Sequence, residues 1–473
     1  MIEGTDVRGL ALQVLLPGFA GTTLPDDYRA LLEAGLGGVC YFGSNTADGP
    51  EALAALSRAI REANPHAVIA VDEEGGDVSR LHTREPSPVL GAAALGAVDD
   101  LTLTEQVGRW VGTELAAVGV TLDLAPDADV NSDPDNPVIG TRSFGPVAER
   151  AAAHVAAWTR GLQSTGVAAC AKHFPGHGDT ATDSHLALPR IDVDADTLAG
   201  RELVPFDAAV EAGTAAVMTS HIVVPALDPD RPATHSPVVL AMLREVLDFE
   251  GVIVSDALDM AGASAATGVP ESAVRALVAG CDLLCLGPDK PASLVEDVAG
   301  AIVRAVEEGR LTTDRLTRAG DRVRSMGVGG AERSAPDHGR QVEAVASALV
   351  VDGDLPDLTG ALVVSVETVA NIAVGAVAWG IEPDHRVDPS TDGLRGAVAD
   401  GVPLVVQVRD AHRRPEVLDL LRSIAADGRA AVVVEWGWAA PYDVGLARIS
   451  THGSSAPGVA AVTELLREAG WAR

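Results

Sequence analysis

The sequence predicts an α/β protein: a (β/α)8 TIM-like barrel followed by a smaller C-terminal α/β sandwich domain. Three observations carry that expectation. Eight short apolar runs recur through roughly the first three hundred residues, separated by segments with helical periodicity. Polar residues able to do chemistry stand just past the C-terminal ends of five of those runs. A Gly-rich polar stretch, Met326 to Arg340, then breaks the pattern before a second, shorter alternation begins.

The eight runs are Leu10–Leu16, Gly38–Phe42, Ala67–Val71, Thr121–Ala125, Val167–Ala171, Ala215–Thr219, Val252–Ser255 and Asp282–Leu286. Between them lie amphipathic stretches such as Glu51–Arg61, Glu105–Ala117, Ala151–Gln163 and Pro237–Leu247. Alternating strand and helix implies parallel pairing, and eight rounds close a barrel. An open doubly wound sheet would need a glycine-rich phosphate loop after the first strand, and LPGFAGTT is a poor one. Asp72, Asp127, Lys172 with His173, His221 and Asp256 follow the third to seventh runs, on the face where barrels build active sites. Beyond the break, Ala361–Val366, Pro403–Val408 and Ala431–Val434 read as buried strands, and Val417–Ala425 and Val459–Glu468 as helices. The expected organisation is therefore a catalytic barrel over 1–325, a linker over 326–345 and a C-terminal α/β domain over 346–473.

Composition narrows the function classes. The chain has 473 residues, is 47% hydrophobic and carries a net charge of −32. Such a surface repels phosphate backbones and anionic lipid, so neither nucleic acid nor membrane is expected as a partner. No apolar run reaches the ~18 residues of a membrane span. MIEGTDVRGLALQVLLPG has no cationic region before its apolar stretch, which makes a cytoplasmic location the expectation. Cys40, Cys170, Cys281 and Cys285 sit in or beside apolar runs and read as buried small hydrophobes, not as a disulfide or metal framework.

Chemistry concentrates in KHFPGHGDTATDSHLALP, Lys172 to Pro189, where three histidines, two aspartates and a lysine fall within fourteen residues. Pro175, Gly176 and Gly178 disfavour a helix, so the segment is a loop leaving the fifth strand. Two readings of the residues stand side by side. His173, His177 and His185 with Asp179 or Asp183 could bind a divalent metal. Alternatively, Asp183 accepts a hydrogen bond from His185, fixing its tautomer so that the other ring nitrogen exchanges protons with substrate.

The same segment resembles the signature of family 3 glycoside hydrolases, in the bacterial β-N-acetylglucosaminidase (β-N-acetylhexosaminidase) branch. DEEGGDVSR (Asp72–Arg80), LDLAPDADVN (Leu122–Asn131), VIGTRSFG (Val138–Gly145), ELVPF (Glu202–Phe206) and GVIVSDALDM (Gly251–Met260) follow in the family's order over residues 8–330. The resemblance implies that Asp256 is the nucleophile, that His185 is the general acid/base and that Asp183 is its partner. It implies that Asp72, Arg80, Arg142, Lys172 and His173 hold the terminal sugar's hydroxyls. The implied enzyme is a retaining exo-β-N-acetylglucosaminidase acting on β-linked N-acetylglucosaminides, such as cell-wall fragments recovered into the cytoplasm, with no metal and no organic cofactor. A histidine donor leaves the site less negative than a second carboxylate would, so phosphate stays open as an acceptor and a glycoside phosphorylase as an alternative. A family 3 β-glucosidase or β-xylosidase would draw its acid from elsewhere, and Glu435 is then the candidate. A carbohydrate-binding protein with a decayed site is the non-enzyme alternative. Glu73 and Glu74 read as ordinary solvated or ion-paired carboxylates, and Arg80 and Arg142 have a structural ion-pair reading beside the functional one. His177 and His221 read as supporting residues. The Gly-Pro stretch of the loop suggests a mobile dyad. Nothing in the sequence fixes the oligomeric state.

Overall fold

The computed structural model describes residues 6–180, 188–265, 267–369, 371, 373–375 and 377–472. The chain divides into two compact units: Met1–Glu73, Thr104–Asn136 and Pro146–Ala335 form the first, and Glu74–Leu103, Pro137–Gly145 and Pro336–Arg473 the second.

The first unit is built on eight parallel strands, β1 Leu15–Pro17, β2 Gly38–Tyr41, β3 Val68–Val71, β4 Leu122–Asp123, β5 Ala168–Phe174, β6 Ala216–Thr219, β7 Val252–Ser255 and β8 Leu283–Gly287. Their order is β1-β8-β7-β6-β5-β4-β3-β2, and the two ends, β1 and β2, touch, so the sheet wraps into the expected barrel. Every residue of these strands is buried, which is why the sequence shows continuous apolar runs in place of alternation. Leu16, Cys40, Val68, Ala70, Leu122, Cys170, Met218, Val254 and Leu283 pack together as the interior, a filled core and not a pore. All four cysteines are buried, and none is joined in a disulfide.

The run Leu10–Leu16 departs from expectation. Asp6 accepts a hydrogen bond from Gly9 N at 2.9 Å and caps a helix over Val7–Gln13, so only its end enters β1. Between strands run the helices Pro50–Ala63, Ala148–Gln163, Pro237–Glu245, Val269–Ala279 and Ala292–Glu307, among others. Pro50 and Pro237 stand in the first turn of their helices, where the missing N–H costs nothing.

The second unit holds a six-stranded sheet of β9 Val350–Asp352, β10 Leu362–Val366, β11 His385–Val387, β12 Leu404–Val408, β13 Ala431–Glu435 and β14 Ala447–Ser450. The order is β11-β10-β12-β13-β14-β9, parallel except for β9 against β14. Alternate residues bury two faces: Val364, Val406 and Val433 on one side, Val363, Val405 and Val432 on the other. The helix His338–Ala348 belongs to this unit, so the connection is shorter than the expected 326–345 linker. Two long loops that follow β3 and β4 also belong here. Their helix Ala92–Val98 packs on His338–Ala348, and Leu90 N donates to Gln341 Oε1 at 3.1 Å. Among the described residues, no helix is long and apolar enough to cross a membrane.

Candidate active site

In the first unit, the C-terminal strand ends hold a ring of polar side chains. Lys172, in β5, is 1% exposed and places Nζ 2.6 Å from Oδ1 of Asp72, the residue after β3. A buried ammonium is tolerated only with such a partner, so the pair fixes itself. Below it, Asp123 closes β4. Its Oδ1 accepts from Glu73 N at 3.0 Å, and its Oδ2 has no hydrogen-bond partner. Burial pushes Asp123 well above the usual carboxylate range, with Lys172 pulling the other way.

His173 is the next residue of β5. Its Nδ1 donates to Asp129 Oδ2 at 2.7 Å, while Asp129 Oδ1 accepts from the backbone amides of His173 (3.2 Å) and His177 (2.7 Å). Burial alone would raise Asp129, but the His173 charge and these bonds outweigh it and hold it below its ordinary value. Among the strand-end residues the sequence singled out Asp127, yet Asp127 Oδ2 lies 3.9 Å from His173 Nδ1 and Asp129 is the closer partner. The alternation D-A-D was the available signal. Nδ1 of His173 is thereby committed to a carboxylate, which fixes the plane of the ring.

Asp256 follows β7 and is half-buried; its Oδ1 accepts from Ala257 N at 2.7 Å. His221, after β6 and fully buried, donates Nε2–H to Ala257 O at 3.0 Å, with Nδ1 2.9 Å from Thr234 Oγ1. It thus braces the backbone beside Asp256, the supporting role expected of it. His177 is buried, and burial lowers it to about 4, against the pull of Asp129 and Asp256. It stays neutral near pH 7 and does not cancel the nucleophile candidate's charge.

The loop from Lys172 begins differently from expectation. Residues 175–178 are buried, and Asn136 Nδ2 donates to the carbonyls of His177 (2.8 Å) and Gly178 (3.1 Å). A Cβ on Gly178 would sit 1.7 Å from Val130 O, so this glycine serves close packing. Asp179, a candidate ligand in the metal reading, instead pairs with Arg201 at 2.5 Å, and Arg201 also holds Glu202 at 2.6 Å. Burial raises Glu202 to about 7, partly offset by Arg201. Asp183 and His185, the expected proton-transfer pair, lie outside the described residues. Among the described residues, Asp127, Asp129 and His173 bring potential metal-ligand atoms within 4.8 Å of one another, but the closest of these contacts is the His173–Asp129 hydrogen bond.

Arg80 and Arg142 lie in the second unit. Arg142 is clamped by Glu74, with Nε 3.0 Å from Oε2 and a terminal nitrogen 2.7 Å from Oε1. Both side chains are 5% exposed, so Glu74 is ion-paired and not solvated; Glu73 is buried as well. Arg80 donates to Ala373 O at 3.0 Å and Val374 O at 3.4 Å. Glu435, the acid of the β-glucosidase alternative, is fully buried at the end of β13. Its oxygens accept from the amides of Asp410 (2.8 Å), Gly437 (2.7 Å) and Ala411 (3.0 Å) and from Tyr442 OH (3.2 Å). Burial, and then Asp410, raise it to about 7. Its carboxylate fastens the loops that follow β12 and β13.

Residues 18–326 match the family described as glycosyl hydrolase family 3 N terminal domain. A beta-hexosaminidase of Methylococcus capsulatus is 38% identical over 277 residues, 57% of this chain and 82% of the relative. A glycoside hydrolase family 3 beta-N-acetylglucosaminidase from Paenibacillus sp. superposes with a TM-score of 0.87 at 29% identity, over 98% of this chain and 97% of that one. A structure of NagZ from Neisseria gonorrhoeae in complex with N-trifluoroacetyl-D-glucosamine gives 0.55 at 33% identity, over 66% of this chain and 97% of that one.

Proposed function

The chain belongs to glycosyl hydrolase family 3 and is a glycoside hydrolase, and from that premise we propose that it is a retaining exo-β-N-acetylglucosaminidase. The observation that supports this most is Asp256, a carboxylate at the end of β7 fixed by the Ala257 amide, with a neutral His177 among its neighbours. In the first step the Asp256 carboxylate attacks the anomeric carbon of a terminal N-acetylglucosamine. His185, held by Asp183, gives its proton to the departing glycosidic oxygen. A covalent glycosyl ester forms. In the second step His185 takes a proton from water, the water oxygen attacks the same carbon, and the sugar leaves with its configuration retained.

Recognition follows from the charged groups. Asp72, anchored by Lys172, accepts from sugar hydroxyls, and His173, oriented by Asp129, contacts another hydroxyl. Arg80 and Arg142 donate to sugar oxygens. The natural substrate on this reading is a β-linked N-acetylglucosaminide from cell-wall material, met in the cytoplasm.

The test is a panel of aryl β-glycosides assayed with and without phosphate. The N-acetylglucosaminide should be turned over far faster than the glucoside or xyloside. Asp256→Ala should lose on the order of a thousandfold or more in kcat, and mass spectrometry should find the trapped sugar on the Asp256 peptide. Wild-type turnover by Asp256→Ala would refute the assignment. Phosphate-dependent release of a sugar 1-phosphate would make the protein a phosphorylase.

A further inference from the structure

The loops that carry Arg80 and Arg142 are folded into the second unit together with the C-terminal sheet, and that sheet holds them through specific side chains. Asn371, beyond β10, donates through Nδ2 to the carbonyls of Pro137 (2.9 Å) and Val138 (3.0 Å). Its own Oδ1 is fixed by Ala373 N at 2.9 Å. Val138 O also accepts from Arg142 itself, at 3.4 Å, and the turn Gly140–Arg142 begins two residues later. A second support reaches the same turn. Arg409, just past β12, places a guanidinium nitrogen 2.6 Å from Asp77 Oδ1, and Asp77 Oδ2 accepts from the Thr141 hydroxyl at 2.7 Å. Ser454 N adds a bond to Asp77 Oδ1 at 3.3 Å.

Asp77 is 5% exposed. A carboxylate buried to that degree keeps its charge, and its strength as an acceptor, only while a cation stands beside it. Removing Arg409 therefore weakens the Asp77–Thr141 bond one residue before Arg142. Removing the Asn371 amide takes one donor from each of two carbonyls at the start of the same turn.

We propose that Asn371 and Arg409 are positioning residues for sugar recognition, through which the C-terminal part of the chain sets the turn that presents Arg142. The inference rests on the reading of Arg142 as a sugar contact. Asn371, Arg409, Asp77, Thr141 and Arg142 all lie within the second unit.

Steady-state kinetics of the full chain on an aryl β-N-acetylglucosaminide test it, with thermal midpoints measured alongside. Arg409→Met, Thr141→Val and Asn371→Asp, which keeps shape but cannot donate, should each raise KM about tenfold and leave kcat within about threefold. Arg409→Lys, which restores the cation, should recover most of the loss. Arg409→Met combined with Thr141→Val should be no worse than either alone, because both act through Asp77. Unchanged KM, or losses that add and merely follow the fall in thermal midpoint, would overturn the proposal. A wild-type chain inactive on every β-N-acetylglucosaminide would refute the functional reading instead. The positioning role is then read by calorimetry with N-acetylglucosamine, where the same variants should weaken binding about tenfold; no binding to the wild type would overturn it too.

Discussion

At the scale of single residues, the site depends on buried charges that have been given partners. Asp129 illustrates the rule: three hydrogen bonds, one of them from the His173 ring, hold it below its ordinary value at full burial, and it in turn orients that ring through Nδ1. In Asp129→Asn the amide oxygen would stay with the two backbone amides and its NH2 would face Nδ1, so the bond that orients the His173 ring would be lost. A fall in kcat/KM on the order of a hundredfold should follow, with little change in thermal midpoint. Retention of full activity would show that the Asp129–His173 bond does not matter. His235 makes a different prediction. It is buried against Ser272, 3.0 Å from its hydroxyl, and burial lowers it to about 4. Its folded value is below its unfolded one, so between about pH 6.5 and 4 the unfolded chain binds more protons and stability falls as pH falls. His235→Gln should remove roughly 1.5 kcal/mol of the stability difference between pH 7 and pH 5, measured by denaturant unfolding at both. An unchanged difference would mean that His235 is not held neutral.

At the scale of elements, close approach of backbones decides what the sequence leaves ambiguous. The helices Leu101–Ala117 and Ala148–Gln163 meet where Gly161 faces Glu105 O, and a Cβ there would come within 2.0 Å. Gly161→Ala must push the helices apart and should cost about 2 kcal/mol or more, without altering KM in the fraction that folds. A neutral substitution would disprove the tight crossing. The segment after β5 shows the same physics in a loop. Its glycines and proline read as flexibility in the sequence, yet in residues 175–178 they permit burial against residues 130–136. The run Leu10–Leu16 shows the reverse case, where a single capping aspartate turns an apolar stretch from strand to helix.

At the scale of the whole molecule, the division into units is not the division of the chain. The loops after β3 and β4 leave the barrel and fold with the C-terminal residues, so a chain ending at 335 would expose the buried face of the Ala92–Val98 helix. That truncation should give an aggregating, dye-binding and inactive product; a soluble fragment with cooperative melting would contradict it. The net charge of −32 has a separate consequence. Self-repulsion opposes compactness and salt screens it, so the thermal midpoint should rise by several degrees between about 20 and 500 mM sodium chloride. A flat response would show that the acidic groups are already paired.

The sequence by itself determined the barrel, its strand ends and the motif residues, because parallel strands buried on both faces leave continuous apolar runs and the residues that follow them are forced to one rim. It also marked Asp256, Lys172 and His173, since short motifs keep their chemistry and their order along the chain. Only the tertiary structure decided the partners: Asp129 for His173, Glu74 for Arg142, Asp72 for Lys172 and the amides that seal Glu435. It also decided that loops between barrel strands fold with residues more than two hundred positions away. Periodicity is a local property and survives in one dimension. Pairing of buried charges depends on which atoms lie within about 3 Å, and only the folded chain sets that distance.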